Sequence, residues 1–526
     1  MEEKKNNIKY NNILPIMLIV ASLIVIGATL MVIVQRNKKD YEIDAEIQKS
    51  NYWISSNTLE AFDLYFLQLE NKEVNKVYSP LSIKYALTML EEGTNGESKA
   101  QISSVIGNYS PKKYINSKNM SFANAMFINN MYKKSVKDSY ISTLNNKYNA
   151  EVILDSFETP NNVNSWVSNK TLGLINNLFD NIANEQLLLL NALAIDMEWE
   201  QKFLSPAGKM VSYRHENFGW YDGMKITSIE FGEHKKEVAG MSITASFNNY
   251  DIVNALGEEN IRKTVKDAFK KHLAENTYDK ITNYLYGENI DGLSDEQLME
   301  KYLDKYIKEI DSNYKVEDKT TDFSLYVDEN VKVFAKDLKE YDGTTLQYIG
   351  IMPTHEDLTS YINDITVSDI NNIISNLKEL KADNFKDGVV TKITGFIPKF
   401  KFEYDLNLTE DLKQLGITNI FESGKADLSG ISSDTSLFIN QATHKANIEF
   451  TQDGIKAAAT TQIGGLGSGG AFNYWFDVPV EEIDLTFDKP YMFIIRDKNS
   501  GEVWFAGTVY EPLLYSLDKT VYSWNH

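Results

Sequence analysis

The stretch 453-DGIKAAATTQIGGLGSGGAFNYWF-476 joins two different kinds of chain end to end. From Ile455 it alternates: Ile455, Ala457, Ala459, Thr461 and Ile463 fall on one side, Lys456, Ala458, Thr460 and Gln462 on the other. A period of two with one apolar side belongs to a strand with one buried and one wetter face. These residues are small enough to slide between strands already packed, and no proline removes a ladder donor. Then glycine takes over from Gly464, and Phe472, Tyr474, Trp475 and Phe476 come after it. Such a segment can become a strand without being obliged to be one.

Outward from that stretch, composition narrows the class. The chain has 526 residues, 43% of them hydrophobic, enough for one large or two medium domains with a substantial core. Lys and Arg number 53 against 74 Asp and Glu, a net charge of −21, which argues against nucleic acid as a partner because phosphate neutralisation needs a basic face. Cysteine is absent, so disulfides, a thiol nucleophile and Cys-ligated metals are excluded. The histidines (His215, His234, His272, His355, His444 and His526) are scattered without ligand spacing, and neither a metal nor a cofactor is expected. Gly465–Gly470, GLGSGG, fits the spacing of a dinucleotide fingerprint. The residues after Gly470 include Pro479 and carry no helical apolar face, so the context that motif needs is missing.

The N-terminus carries a different signal. After a polar segment at 1–12, Ile13 to Val34 supplies 22 residues without a charge. As a helix it reaches about 33 Å, against roughly 30 Å of hydrocarbon core. A signal peptide would have a shorter apolar run and a small-x-small cleavage site, so an uncleaved transmembrane anchor at 13–34 is expected. Lys4, Lys5 and Lys9 before it are balanced by Arg36, Lys38 and Lys39 after it, which leaves orientation open on charge alone. Residues 35–50 make a polar tether.

From about 51 the chain reads as a mixed α/β body. Tyr52 to Leu69 has helical apolar spacing, and Ser79-Pro80 opens a second helix with proline in its first turn. Ser121–Phe127 and Leu187–Ile195 are apolar runs suited to buried strands. Thr391–Glu403 alternates as one strand, and so does Glu482–Asp497, with Pro490 marking an edge or bulge. Residues 245–322 differ, being dense in Lys, Asp, Glu, Asn and Tyr. There a capping box from Ser294 to Gln297 starts a helix with Leu298, Tyr302, Tyr306 and Ile310 on one face, read as a helical insertion lying on the main body.

Motifs in order along the chain then resemble those of the serpins, the serine protease inhibitor family. Tyr78-Ser79-Pro80-Leu81-Ser82-Ile83, Ala123-Asn124-Ala125-Met126-Phe127, Asn164-Ser165-Trp166-Val167, Leu190-Asn191-Ala192 through Trp199-Glu200, and Pro398-Lys399-Phe400 are similar to successive family landmarks. So are Lys425-Ala426-Asp427-Leu428-Ser429-Gly430, His444-Lys445-Ala446, Lys489-Pro490-Tyr491-Met492-Phe493 and Phe505-Ala506-Gly507-Thr508-Val509. The resemblance covers about 51–512 and leaves the insertion and the anchor outside. It implies a serpin fold: a large central β-sheet, two smaller sheets and about eight to nine helices, with a tail here at 513–526.

The resemblance also implies a use for the opening stretch. Serpins expose a reactive loop, here about 453–485, as protease bait, and after cleavage its first part inserts into the large sheet as a new strand. The target protease is carried along as a covalent acyl-enzyme, so this chain would be a suicide substrate with no catalytic residues of its own, acting as a monomer. By position, Gly454, Ile455, Lys456, Ala457, Ala458, Ala459, Thr460 and Thr461 form the hinge. The family's usual span of fourteen residues from the hinge glycine places the cleaved bond at Ser468-Gly469. Ser79, Ser82, Asn191 and His444 match the shutter, where the sheet parts. Small and apolar residues around the bond (Leu466, Gly467, Ser468) suit an elastase- or subtilisin-like target. A tethered inhibitor of this kind favours an extracellular body on the cell surface. Three departures stand out: Ile455 is larger than the family's usual residue, Lys456 replaces a usual acid, and the loop is about ten residues longer than common. They keep a second reading open, a serpin-fold binding or structural protein at the cell surface that does not inhibit.

Overall fold

The computed structural model describes residues 50–183, 185–203, 209–215, 219–226, 228–243, 259, 262–263, 285–313, 321–380, 390–440, 442–455 and 480–515. The span expected at 13–34 lies outside these residues. Among the described ones, no helix is long and apolar enough to cross a membrane.

Nine α-helices are described: α1 (Ala61–Leu69), α2 (Pro80–Glu91), α3 (Gly96–Ile106), α4 (Asp138–Tyr148), α5 (Asn161–Lys170), α6 (Asp295–Asn313), α7 (Leu358–Asp364), α8 (Val367–Ser375) and α9 (Leu408–Gln414). Local chemistry starts several of them. Ser79 caps α2 by accepting from the Ser82 amide, and Pro80 takes the first turn, where its missing N–H costs nothing. The expected capping box opens α6: the Ser294 N–H donates to Gln297 Oε1 at 2.9 Å, and the Gln297 N–H donates to Ser294 Oγ at 3.3 Å.

The largest described sheet is six-stranded. Its order is β1 (Lys76–Tyr78), β19 (Val503–Val509), β18 (Tyr491–Asp497), β12 (Leu346–Pro353), β11 (Val331–Asp337) and β10 (Ser324–Val327). A second sheet has the order β17 (Val480–Thr486), β13 (Val390–Pro398), β9 (Lys236–Ser242) and β8 (Ser228–Phe231). The strands β6 (Lys209–His215) and β7 (Gly219–Ile226) form a hairpin.

The sheet that concerns function is in two pieces. One has the order β3 (Ala150–Asp155), β2 (Met120–Asn129) and β4 (Leu187–Ile195). The other has β14 (Phe400–Leu406), β15 (His444–Phe450), β16 (Gly454–Ile455) and β5 (Met197–Glu198). Among the described residues, no ladder joins these two pieces between β4 and β15. The widest described sheet is instead the six-stranded one, whose Phe493 stacks on Phe400 of β14.

Two strands read as single runs divide where proline sits. The run 391–403 breaks between Pro398 and Phe400 into β13 and β14, which belong to different sheets. The run 482–497 breaks before Tyr491 into β17 and β18, again in different sheets. Proline lacks the ladder donor and fixes its own φ, so a strand turns out of its sheet there.

In the insertion, Arg262 meets Glu300 at 2.9 Å and Asp304 at 2.5 Å, and Lys301 meets the Asn289 carbonyl at 2.9 Å. Leu298, Met299, Tyr302 and Leu303 are buried. At the far end, residues 513–515 do not trail as a tail. The Leu513 carbonyl accepts from the Ala239 N–H at 2.9 Å, and the Tyr515 N–H donates to the Glu237 carbonyl at 3.0 Å, adding to the free side of β9.

Below the parted sheet, α1 and α2 bury an ion pair. Lys84 Nζ meets Asp63 Oδ1 at 2.6 Å, with both side chains fully buried. Burial pushes the Asp63 carboxyl up against the pull of Lys84.

Candidate functional site: a slot one strand wide

The two pieces of the sheet meet only at the hinge. Ile455 pairs with Phe450 of β15 on one side and with Met197 of β5 on the other, and Gly454 pairs with Glu198. Both pairings are antiparallel. β5, which continues β4 through Asp196, therefore runs parallel to β15. Among the described residues no ladder joins β4 to β15, and the described part of the hinge, Gly454–Ile455, sits at the mouth of a slot between them as wide as one strand.

The side walls of that slot are consistent in face. Along β4 and β5, Leu187, Leu193, Ile195 and Met197 join the main core, whereas Leu188, Leu190 and Ala192 pack in the cluster under α5. The alternation passes through Asp196 without slipping, so no bulge shifts the register. Along β15, Ala446, Ile448 and Phe450 are buried and the residues between them are half-exposed. Ile455 is 2% exposed and faces the same core. Gly454 is required at its position: a Cβ there would lie 2.1 Å from the Met197 carbonyl oxygen and 2.7 Å from Glu198 Cα.

Charged and aromatic groups hold the mouth. Lys202 bridges Glu198 at 3.0 Å and Asp453 at 3.6 Å, and Lys339 also donates to Glu198. Hydrogen bonds from Lys339 and Lys202 keep the Glu198 carboxyl below its ordinary range. Trp199 donates to the Thr451 carbonyl at 2.9 Å and packs edge-on against Phe203 and Phe450.

The four residues expected at the shutter are brought together. Ser79, Ser82, Asn191 and His444 all line one cavity of about 100 Å³ at the lower half of the slot. The Ser79 N–H donates to His444 Nε2 at 2.9 Å, so this nitrogen is the acceptor, and neutral His444 carries its proton on Nδ1. Burial pulls the His444 imidazole down to about 4. Its Nε2 is thus satisfied at the position where the resemblance expects a shutter residue. Asn191 Nδ2 donates to Asn124 Oδ1 at 2.6 Å, and Asn124 Nδ2 donates to the Tyr148 carbonyl at 3.1 Å. Asn124 was not singled out from sequence, although its place in the Ala123-Asn124-Ala125 motif carried the signal. Nor were Glu198, Lys202 and Asp453, which form no local pattern. Of the hinge, Gly454 and Ile455 are described, whereas Lys456 to Thr461 and the Ser468-Gly469 bond lie outside the described residues.

Comparison with known proteins identifies the family and the fold. The family model described as Serpin (serine protease inhibitor) matches residues 55–218 and 234–512. The human leukocyte elastase inhibitor is 23% identical over 482 residues, which cover 87% of this chain and 99% of that protein. A crystal structure of the thermophilic serpin tengpin in the native state superposes with a TM-score of 0.55 at 19% identity, covering 89% of this chain and 98% of that one. Thyroxine-binding globulin in complex with thyroxine superposes at 0.53 with 17% identity, over 86% of this chain and 97% of that one.

Proposed function

The chain belongs to the serpin family, and from that premise we propose that it is a membrane-anchored suicide-substrate inhibitor of serine proteases. One observation carries this reading: the slot between β4 and β15 has the hinge already seated at its mouth. Continuing the register of Ile455 downward places Ala457 opposite Ile448 and Ile195, Ala459 opposite Ala446 and Leu193, and Thr461 opposite His444 and Asn191. The inward series is thus the same small, apolar side that the alternation marked. Residue 465 falls opposite Leu187, the first residue of β4, so the glycine string begins where the slot ends.

Filling the slot adds on the order of ten backbone hydrogen bonds, each worth roughly 0.5–1.5 kcal/mol net. The intact fold therefore lies above a more stable state and persists because the path to it is slow. Protease cleavage at Ser468-Gly469 opens that path, and the acylated protease travels with the inserted strand. The nucleophile belongs to the target, and this chain supplies the stored free energy.

The departures noted in the sequence fit the slot. Ile455 is buried between Met197 and Phe450. Lys456, on the outward side, falls opposite Asp196 and Glu449 in the continued register, so a cation suits this chain at that point. The burial of Ile455 removes its size as an argument for the non-inhibitory reading, whereas the longer glycine-rich loop lies outside the described residues. The elastase-like preference rests on the residues around the bond and on similarity to a protein named as an elastase inhibitor.

The test is a gel and a mass spectrum. Incubation with an elastase- or subtilisin-type protease is expected to give an SDS-stable covalent complex and a new end at Ser468, with poor trapping of trypsin. Nicking without a complex would favour the non-inhibitory alternative. Protease added to intact cells tests the extracellular orientation by removing the body from the 13–34 anchor.

A further inference from the structure

The lower half of the slot holds a cavity of about 100 Å³, walled by apolar side chains that include Leu90, Leu190, Leu408, Leu412 and Phe179. Two polar atoms of its lining have no hydrogen-bond partner in the protein, Ser82 Oγ and Asn191 Oδ1. Ser82 is 2% exposed. An unpaired buried polar atom of this kind costs roughly 1–3 kcal/mol, so the pair is a demand for a ligand.

The chemistry of the demand is specific. The Asn124 bond fixes the Asn191 amide with Nδ2 as donor, which leaves Oδ1 as an acceptor. Ser82 offers an O–H to donate. A hydroxyl group carries both complements, a donor for Asn191 Oδ1 and an acceptor for Ser82 Oγ. An ether or ketone answers only Ser82, a hydrocarbon neither, and an ammonium or carboxylate would bring an unpaired charge into an apolar cavity. The walls run along β4 from Leu188 to Leu193, about 16 Å at strand spacing. So long a wall around so small a volume admits a slender molecule.

We propose that this cavity binds a small neutral amphiphile with one hydroxyl on a slender alkyl chain. The site uses described residues alone and stands whether or not the protein traps proteases. Its consequence for trapping rests on the inhibitor reading: Thr461 would arrive between His444 and Asn191, so occupant and inserted strand exclude each other.

The test titrates 1-hexanol, and separately hexyl methyl ether, into the full-length uncleaved protein in lipid nanodiscs, with empty nanodiscs as reference and saturation-transfer NMR as readout. Saturable hexanol binding, at least tenfold tighter than that of the ether, is expected. Ala86→Leu, which fills the cavity from α2, should abolish it while melting stays cooperative. Equal binding of alcohol and ether, unchanged binding to Ala86→Leu, or no saturable binding because water alone occupies the cavity would each overturn the proposal. In the loop-cleaved protein, loss of hexanol binding supports both the site and insertion. Retention supports the site and counts against insertion.

Discussion

Ile455 lies opposite Met197 and is the last described residue of the hinge, so this one pair sets the register of everything the slot could later receive. In the strand-inserted form proposed above, Lys456 comes next in that register and would lie opposite Asp196 and Glu449. Lys456→Glu would put three acids abreast, and like charges directly opposite are destabilising. The variant is expected to insert more slowly and to lose several-fold in the fraction of protease trapped, whereas Lys456→Met should stay within about twofold. Stoichiometry of inhibition measures both, and equal values for Lys456→Glu and the parent would rule out this register.

Gly454→Ala tests the seating of the hinge. The added Cβ would lie 2.1 Å from the Met197 carbonyl oxygen, which is backbone and cannot give way cheaply. Expelling Gly454–Ile455 unpairs β16 and uncovers the Ile455 side chain, at a cost of about 1–3 kcal/mol. Urea denaturation should register that loss, with faster amide exchange at Ile455.

His444 gives the intact protein an acid-sensitive term. Its folded value, about 4, lies below the ordinary 6.5 because burial disfavours the cation. Between those values the unfolded chain binds a proton that the folded chain refuses. The contribution is therefore complete above pH 6.5 and is lost as pH falls towards 4, by up to about 3 kcal/mol. Asp411, raised to about 6 by burial and by Glu70, acts in the opposite sense, its contribution being lost as pH rises through 6. Comparison with His444→Gln isolates the histidine: the variant's stability should fall less between pH 6.5 and 4 than the parent's.

Lys84→Met should cost about 3–5 kcal/mol, because it leaves the Asp63 carboxyl fully buried without its partner. Adding Asp63→Asn should recover part of the loss, and the melting temperatures of the single and double variants check this.

Much of the scaffold was legible in the sequence because its signals are local. Pro80 in a first helical turn and the Ser294–Gln297 box are each set within a few residues, and each is found in the fold where it was expected. The shutter was legible only by likeness to the family, since residues as distant as Ser79 and His444 share no local pattern. The parting of the sheet was not legible at all. Leu187–Ile195 reads as a strand and His444-Lys445-Ala446 was marked only by likeness to the family, and nothing within either says whether the two segments pair. The breaks at Pro398 and Pro490 were visible as prolines, but which sheet each half would join depends on long-range packing.

The most direct test is the melting temperature of the protein before and after the reactive loop is nicked at Ser468-Gly469. A strand entering between β4 and β15 is worth roughly 10 kcal/mol in hydrogen bonds, which for a domain of this size corresponds to a rise on the order of 10 °C. An unchanged melting temperature in the nicked protein would contradict the account.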